Sequence, residues 1–480
     1  MQAPLFHFDN SYERLPECFY RKVPLQPVPE PAFVYLNETL ASELDIDPER
    51  LRREGLEILA GNKFPENASQ ISQAYLGHQF GFLNMLGDGR AILIGEQLTP
   101  DDRRFDIQLK GSGRTPFSRG GDGRATLTSM LKEYLFSEAM HYLGIPTSRS
   151  LAVVKTGEIV QRESPYEGAV LTRVMSSHLR VGTFQYAAVQ QDPGALKALA
   201  DYAIARHYPE VQKEKAPYLQ FFTRVMERQI AAVAKWMSLG FVHGVMNTDN
   251  VSISGETFDY GPCAFIDAYD PDALYSSIDT GGRYKYSRQP LMLLWDLARF
   301  AEALLPLIHP VPEQAASELK AVLKTFDLRY EKAYYRLMGK KLGFFNAGIS
   351  VRALTDRLLD FMEEKHLDYT DTFAAIRRGD FSADVFSDDR FKTWEAEREA
   401  ELKRQGRSDA DVRDLLASSN PILIVRNFWT QAALEAAEKG DFTLFEEFLN
   451  ELKHPYDDNP EKAKFQERPE DFHYITYCGT

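Results

Sequence analysis

The sequence is poor in cysteine. Only Cys18, Cys263 and Cys478 occur among its 480 residues, too few and too far apart for a disulfide framework or a thiolate metal site. We therefore expect three reduced thiols. The alternative is a redox-sensitive disulfide between Cys263 and Cys478, which requires their Cα atoms to lie within about 7 Å of each other.

Long apolar runs are also missing. No stretch of 18 or more apolar residues occurs, which argues against a membrane-spanning helix. The first twenty residues have neither the apolar core of a signal peptide nor the Arg- and Ser-rich composition of a transit peptide. We therefore expect a cytoplasmic protein with no membrane partner.

Positive charge is in the minority. The chain has 56 Lys and Arg against 70 Asp and Glu, a net charge of −14. A nucleic-acid partner is not expected, because it would require a basic surface. The hydrophobic fraction of 44% can bury a sizeable core. The length predicts about two or three domains, or two lobes that share a cleft.

The most informative segment is the octapeptide at 243–250, followed nine residues after its end by Asp259-Tyr260-Gly261. Protein kinases carry H-R-D-x-x-x-x-N and then D-F-G, in which the first Asp accepts the substrate hydroxyl proton. The Asn and the second Asp of those motifs hold metal ions. In that frame Asn250 and Asp259 occupy the metal positions.

The base of the kinase motif is missing. Val245 stands at its position, and a carboxylate appears instead at Asp249, beside Asn250. A displaced carboxylate indicates a base that serves a different reaction centre. Two alternatives remain: Asp249 is a third metal ligand, or it caps the loop, since Asn-Thr-Asp-Asn stretches often form turns bonded to their own backbone.

The apolar pattern divides the chain into three parts. Residues 1–75 mix Pro-rich extended segments with a short helix at 37–44 and are expected to wrap around the body as an N-terminal extension. Residues 76–180 alternate short apolar runs with Gly-rich turns, which predicts a small mixed lobe. The helical period dominates 181–480, which predicts a helical lobe with a C-terminal tail. This order predicts an α+β, protein-kinase-like fold of two lobes.

Finer patterns predict individual elements. Two hairpins are expected, one with strands 82–86 and 91–94 around the Gly87–Arg90 turn, the other with strands 151–154 and 158–162 around Thr156-Gly157. The remaining expectations are a strand at 106–110, helices at 126–143, 218–239, 290–307 and 317–337, and a solvated helix face at 393–413.

Lys110 and Glu133 form a candidate ion pair. Lys110 ends a predicted strand, and Glu133 lies on a predicted helix that is apolar almost all round. A carboxylate on a buried helix face is costly unless it is paired. In kinases a strand lysine paired in this way holds nucleotide phosphates. The alternative is a solvent-facing Glu133 and an edge-strand Lys110.

Glycine and arginine concentrate around the same lobe. Gly87-x-Gly89 could admit phosphate to backbone amides, although a plain hairpin turn also explains it. The segment 111–124 contains glycines and arginines suited to a polyphosphate. Arg173 and Arg180 lie near the expected join between the lobes. Each arginine singly could be a surface residue, but clustering in an acidic protein favours an anion site.

Together these motifs resemble the selenoprotein O family of pseudokinase-like protein adenylyltransferases. The resemblance runs from Asn10-Ser11-Tyr12 to the C-terminal segment 477–480. It includes three internal segments: Gln108–Gly111, Gly113–Arg119 and the octapeptide with the Asp259-Tyr260-Gly261-Pro262 that follows it. Cys478 stands alone near the end, which differs from the selenocysteine-bearing members and argues against a local two-residue redox couple.

The resemblance implies an activity. The fold would bind ATP in an orientation flipped relative to kinases, so that AMP is transferred to Ser, Thr or Tyr hydroxyls of protein substrates. UTP is a possible second donor. Asp249 would accept the proton, and Asn250 and Asp259 would ligate Mg²⁺ or Mn²⁺. Glu133 would pair with Lys110. The resemblance implies that eight residues contact the nucleotide: Gly87, Gly89, Arg90, Lys110, Asp122, Gly123, Arg173 and Arg180.

Two other functions remain open from the residues. A catalytically inactive nucleotide-binding scaffold would need none of Lys110, Glu133, Asn250 and Asp259 as a set. A kinase that transfers the γ-phosphoryl group is disfavoured by Val245. The sequence therefore favours nucleotidyl transfer.

Overall fold

An eight-stranded antiparallel sheet forms the body of the first lobe in a computed structural model that describes residues 4–467, 469, 472 and 474–476. Its order is β1-β3-β6-β7-β10-β9-β2, with β8 also paired to β10. The strands are β1 (Tyr20–Lys22), β2 (Ala32–Leu36), β3 (Ile71–Gln73), β4 (Leu76–Gln79), β5 (Phe82–Met85), β6 (Ala91–Leu98), β7 (Arg104–Lys110), β8 (Ala125–Thr126), β9 (Arg149–Gln161), β10 (Pro165–Met175), β11 (Phe241–Val242) and β12 (Ala264–Phe265).

Helices make up most of the remainder. They are α1 (Glu38–Glu43), α2 (Pro48–Glu54), α3 (Leu56–Leu59), α4 (Leu127–Tyr142), α5 (Val181–Val189), α6 (Pro193–His207), α7 (Pro217–Leu239), α8 (Gln289–Ile308), α9 (Pro312–Leu323), α10 (Phe326–Lys341), α11 (Ile349–Glu364), α12 (Tyr369–Arg378), α13 (Asp389–Gln405), α14 (Asp409–Ser419), α15 (Asn427–Glu438), α16 (Thr443–Leu452) and α17 (Ala463–Gln466). Within the described residues every helix is too short or too polar to cross a lipid bilayer.

The two faces of the sheet are covered by different parts of the chain. Helix α4 packs on β9 and β10, and its buried face joins the large core shared with α7 and α8. The N-terminal segment covers the other face, where Phe6, Val28 and Leu40 pack with Ile107 of β7 and Val154 of β9. The N-terminal segment also supplies β1, β2 and β3 to the sheet. The expected α+β architecture, a sheet lobe with an N-terminal extension followed by a helical lobe, is confirmed.

Local sequence signals set the two helices that matter most for the site. Thr126 caps α4, because its side chain accepts a hydrogen bond from the backbone N–H of Ser129. Helix α7 ends at Gly240, whose φ of 78° is left-handed. Strand β11 follows Gly240 directly and leads into His243, so the end of α7 fixes where the octapeptide begins.

Both predicted hairpins are wrong. Strand β5 pairs with β4 in a separate two-stranded sheet, and Phe80-Gly81, both at positive φ, make the turn. The residues between β5 and β6 instead carry the chain to the main sheet. The Thr156-Gly157 turn does not form either, because β9 continues through these residues as the partner of β10. The register of the two strands shifts between Glu167 and Ala169 of β10.

Two helix predictions also need correction. The segment 317–337 is divided between α9 and α10, with Thr325 at the break, where its hydroxyl donates to the carbonyl of Val322 at 2.7 Å. The segment 393–413 is likewise divided by Gly406, whose φ is 66°. It is not merely solvated, because Trp394 and Arg398 of α13 are buried.

We expect Gly240→Ala to destabilise the protein more than the matched control Gly379→Ala. Both glycines end a helix at left-handed φ, which costs about 1–2 kcal/mol for alanine. A Cβ at Gly240 would also lie 2.7 Å from Ile266 Cγ1, whereas nothing lies within 4 Å at Gly379. The overlap should add about 1–3 kcal/mol. Thermal melting of both variants measures the difference, and equal midpoints would contradict the account.

Candidate active site

Four charged side chains meet where the two lobes join. Lys110 Nζ at the end of β7 lies 2.5 Å from Glu133 Oε2 on α4, and it also pairs with Asp259. Arg173 Nη1 on β10 lies 3.2 Å from Glu133 Oε1 and 3.4 Å from Asp259 Oδ1. The side chains of Lys110, Glu133 and Arg173 are at most 6% exposed. Buried charges are tolerated at this density only because each has opposite partners.

Asp259 is held ionised by this cluster. Burial alone would raise its pKa, but Lys110 and Arg173 lower the pKa of Asp259 well below its ordinary value. Its backbone has a left-handed φ of 67°, which few residues other than glycine adopt without strain. The next residue, Tyr260, is buried and hydrogen-bonds Thr147. The carboxylate is therefore fixed at the lobe junction.

The octapeptide places Asp249 and Asn250 beside the cluster. Asn250 Nδ2 donates to the carbonyl of Val245 at 3.0 Å. The buried oxygens Asn250 Oδ1 and Asp249 Oδ1 have no hydrogen-bond partner among the described residues. Burial raises the pKa of Asp249 to about 6. The backbone N–H of His243 donates to Gln289 Oε1 at 2.9 Å, which fixes the start of the octapeptide to α8.

Arg180 joins the octapeptide to the small lobe. It is 2% exposed, and its Nη1 donates to the carbonyl of Asp249 at 3.0 Å. Its guanidinium carbon lies 4.0 Å from the ring centroid of Tyr75 and 4.8 Å from that of Phe258. Nη2 has no hydrogen-bond partner among the described residues, although Asp88 Oδ1 is 3.7 Å away. A buried N–H of a cation without an acceptor is suited to an anionic ligand.

The glycine segment has a packing role that the sequence did not reveal. Gly87 has a φ of 67°, and a side chain there would collide with the ring of Phe117 from the glycine–arginine segment. A Cβ at Gly89 would lie 3.0 Å from the carbonyl oxygen of Phe117. Thr115 Oγ1 donates to the carbonyl of Asp88 at 2.6 Å. These glycines therefore let residues 111–124 lie directly on residues 87–89.

Asp122 and Gly123 lie at the other end of that segment. Arg162 Nη1 donates to Asp122 Oδ2 at 2.8 Å, and this hydrogen bond lowers the pKa of Asp122. Gly123 has a φ of 71°, and its Cα approaches the backbone of Gly113 too closely for a side chain. The end of the segment 111–124 is therefore held by Arg162, a residue that sequence reasoning did not select.

A cavity of about 220 Å³ is lined by most of these groups, but Glu133 and Asn250 are not among its lining residues. Its lining contains seven cations and four carboxylates, an excess of positive charge in a protein of net charge −14. Ten of the residues selected from the sequence line it: Gly87, Gly89, Arg90, Lys110, Asp122, Gly123, Arg173, Arg180, Asp249 and Asp259. Such a lining suits a polyphosphate.

The other lining residues, five of which lie in the glycine–arginine segment 111–124, were not selected individually. They are Tyr75, Gln79, Leu86, Asp88, Ala91, Phe117, Ser118, Arg119, Gly121, Arg124 and Arg162. Outside that segment, Asp88 is a residue that a sequence signal could have found, because it stands between Gly87 and Gly89. It accepts hydrogen bonds from the N–H of Gln73 and from Gln108 Nε2, both at 3.1 Å.

The oxygen donors fit a hard divalent cation. No cluster of three or more His, Cys, Asp or Glu side chains in the described part of the chain could bind a metal ion. Mg²⁺ is commonly held by one or two protein oxygens together with substrate phosphates and water. The unpartnered Asn250 Oδ1 and the ionised Asp259 match that smaller donor set.

The two cysteines in the described part of the chain, Cys18 and Cys263, give no sign of reactivity. Cys263 is fully buried, and burial raises the pKa of its thiol to about 12. Cys18 is partly buried, and burial also raises its thiol pKa. Cys478 lies outside the described residues, so its pairing with Cys263 stays a prediction.

Comparison with known proteins gives a match over almost the whole chain. The sequence profile of the family described as "Protein adenylyltransferase SelO" matches residues 4–453. Relatives named "Protein nucleotidyltransferase YdiU" are 51% identical in Bacillus cytotoxicus, 50% in Anoxybacillus flavithermus and 48% in Clostridium perfringens. These alignments cover 99% of this chain and 98 or 99% of each relative.

Among solved structures, one similar chain is ROP2 from Toxoplasma gondii, a virulence factor with a protein-kinase fold and no enzymatic activity. It covers 77% of this chain and 98% of its own length, at 12% identity and a TM-score of 0.24.

We expect Glu133→Gln to weaken the binding of Mg²⁺–ATP about tenfold, a loss of the size of one ion pair. Glu133 holds Lys110 and Arg173 at the cavity, and the amide removes its charge. Glu138→Gln on the same helix is the matched control, because Glu138 is equally buried but pairs with Arg149. Calorimetric titration should show near-normal affinity in the control. Equal losses in both variants would contradict the assignment.

Proposed function

Because the chain belongs to the SelO family of protein adenylyltransferases, we propose that its cavity transfers AMP from ATP to Ser, Thr or Tyr hydroxyls of proteins. Members are protein nucleotidyltransferases, and the chain is an enzyme of that class. The observation that carries the proposal is the carboxylate of Asp249 in the lining of the basic cavity. In the kinase motif the catalytic base stands four positions earlier, at the position of Val245. A cytoplasmic location stays a prediction.

In the proposed reaction Asp249 accepts the proton of the acceptor hydroxyl. The hydroxyl oxygen forms a bond to the α-phosphorus, the bond from the α-phosphorus to the bridging oxygen breaks, and pyrophosphate leaves with that oxygen. Lys110, Arg173 and Arg180 bind the departing phosphates. Stabilisation of the charge that develops there is the largest contribution that fixed cations can make.

Asn250 and Asp259 are the proposed holders of Mg²⁺ or Mn²⁺, which would supply further neutralisation of phosphate charge. Lys110 and Arg173 contact Asp259 in the structure. A bound metal–triphosphate would give both cations phosphate partners in place of Asp259. The ion cluster therefore serves as a preformed anion site, in which phosphates can replace Asp259 as the partner of Lys110 and Arg173.

Two other functions fit the cavity less well. A γ-phosphoryl kinase requires a base at Val245, and none is present. An inactive scaffold leaves the buried charges at the lobe junction without a purpose, since replacing buried ion pairs by apolar residues is often neutral or stabilising. UTP in place of ATP is compatible with the proposed phosphate-binding residues, because the two nucleotides share the same triphosphate.

The identity of the transferred group tests the proposal. The enzyme is incubated with a protein acceptor and ATP labelled at either the α or the γ phosphate. We expect label from the α position only, and Val245→Asp should give no γ-label, because that change alters none of the phosphate-binding residues. Transfer of γ-label by either enzyme would contradict the proposed orientation. Transfer of neither label would support the scaffold.

Asp249→Ala and Asp259→Ala should have different effects. Loss of a general base lowers the rate about 10²–10⁴-fold, so Asp249→Ala should reduce turnover but leave metal–nucleotide binding largely intact. Asp259→Ala should weaken both, because Asp259 is the proposed metal ligand. Turnover and binding are measured by α-label transfer and by Mn²⁺–ATP titration. Near-normal turnover in Asp249→Ala would disprove its role as base.

A further inference from the structure

The hairpin of β4 and β5 carries an exposed apolar cluster that the proposed reaction does not use. Phe82 is 76% exposed, Leu83 47%, Met85 42% and Phe80 38%. Four of the thirteen exposed large apolar residues in the described part of the chain thus fall within six consecutive positions. Single exposed apolar residues are ordinary, but a contiguous group marks an interaction site.

Strand β5 also has an open backbone edge. It pairs with β4 on one side, and no strand of the described chain pairs with its other side. Its sequence, Phe82-Leu83-Asn84-Met85, contains no charged residue and no proline. Natural edge strands are usually protected from pairing by lysine, proline or a covering segment. This edge is therefore suited to accept another strand.

The inner strand of the hairpin is fixed to the octapeptide. The N–H of His78 donates to Thr248 Oγ1 at 3.0 Å. Gly77 lies against Asp249 Oδ1 so closely that a side chain would not fit. At the tip, the N–H of Phe80 donates to the hydroxyl of Tyr284 at 3.1 Å. The open edge is thus held at a set distance from the proposed base.

We propose that the β5 edge binds an extended segment of the acceptor protein as an added strand and so presents its hydroxyl group to Asp249. This inference rests on the proposed function, because it identifies how the acceptor of that reaction is held. Neighbouring strands lie about 4.8 Å apart, so the added strand would run about 10 Å from β4. About three residues of extended chain, at roughly 3.3–3.6 Å each, span that distance to the base.

The exposed side chains of β5 define the chemistry of the partner. The partner is an unfolded or extended polypeptide with apolar side chains near the modified residue, matching Phe82, Leu83 and Met85. Main-chain hydrogen bonds supply affinity without reading sequence. Acceptors would therefore be chosen by extended conformation and apolar flanks rather than by a charged motif, since β5 carries no charge.

The test uses the full chain, α-labelled ATP and casein as a largely unfolded acceptor. We expect the double variant Phe82→Ser/Leu83→Ser to raise the KM for casein about tenfold, the loss expected for removing one interface anchor. The affinity for Mg²⁺–ATP and kcat should stay within about twofold of wild type. The matched control is Leu328→Ser/Ile349→Ser, whose side chains are 73% and 91% exposed on α10 and α11.

Each other outcome decides against the proposal. Unchanged casein KM in the hairpin variant overturns it while leaving the proposed function intact. Weaker ATP binding with unchanged casein KM identifies the hairpin as a cover for the nucleotide instead. Equal effects in the control show that the loss is not specific to β5. If wild type binds Mg²⁺–ATP but labels no protein, the proposed function fails and the docking surface fails with it.

A modified peptide adds an independent check on the backbone contact. An unmodified casein peptide that spans a residue labelled in the intact protein should inhibit labelling of intact casein by wild type. The same peptide with alternate backbone amides N-methylated should lose this inhibition, because it can no longer donate to a strand edge. Equal inhibition by both peptides would overturn strand addition.

Discussion

The architecture depends on a cluster of two cations and two carboxylates at the junction of the lobes, in which Asp259 is partly exposed and the other three side chains are buried. The sheet supplies Lys110 and Arg173, α4 supplies Glu133, and the segment after the octapeptide supplies Asp259. Removing such charges from water costs several kcal/mol for each ion unless the pairing is good. The cluster therefore constrains the sheet, the helix and the large lobe to one relative position.

The same cluster explains how an acidic protein can bind a polyanion. Within the cluster the positive side chains are paired with carboxylates. Arg180 lies outside the cluster, against Tyr75 and the carbonyl of Asp249, and retains an N–H with no acceptor among the described residues. A triphosphate adds negative charge where cations are already fixed, so little reorganisation is needed on binding. The displaced carboxylate then lies beside that anion site rather than at the kinase position.

The parts of the fold predictable from sequence are those set by neighbouring residues. The cap of α4 at Thr126 and the end of α7 at Gly240 are local signals, and both helices lie where the sequence predicts. The pairing of β5 with β4 was missed because the turn uses Phe80 at positive φ, which no turn rule favours.

The site was predictable to the same extent. Ten of the residues selected from the sequence line one cavity, but Glu133 and Asn250 are not among its lining residues. Arg162 was missed because its partner Asp122 comes from a distant segment. Gly87 was selected for access of phosphate, and its close contact with Phe117 could not be anticipated, since it depends on how residues 111–124 fold back. Tertiary contacts of this kind leave no periodic signal in a single sequence.

The proposed reaction depends on the orientation of the bound nucleotide, which a crystal structure with Mn²⁺ and a non-hydrolysable ATP analogue would reveal. We expect the β- and γ-phosphates to lie against Lys110, Arg173 and Arg180, with the α-phosphorus the closest of the three to the carboxylate of Asp249. A γ-phosphorus that lies closest to Asp249, with the α-phosphorus deeper in the cleft, would contradict it.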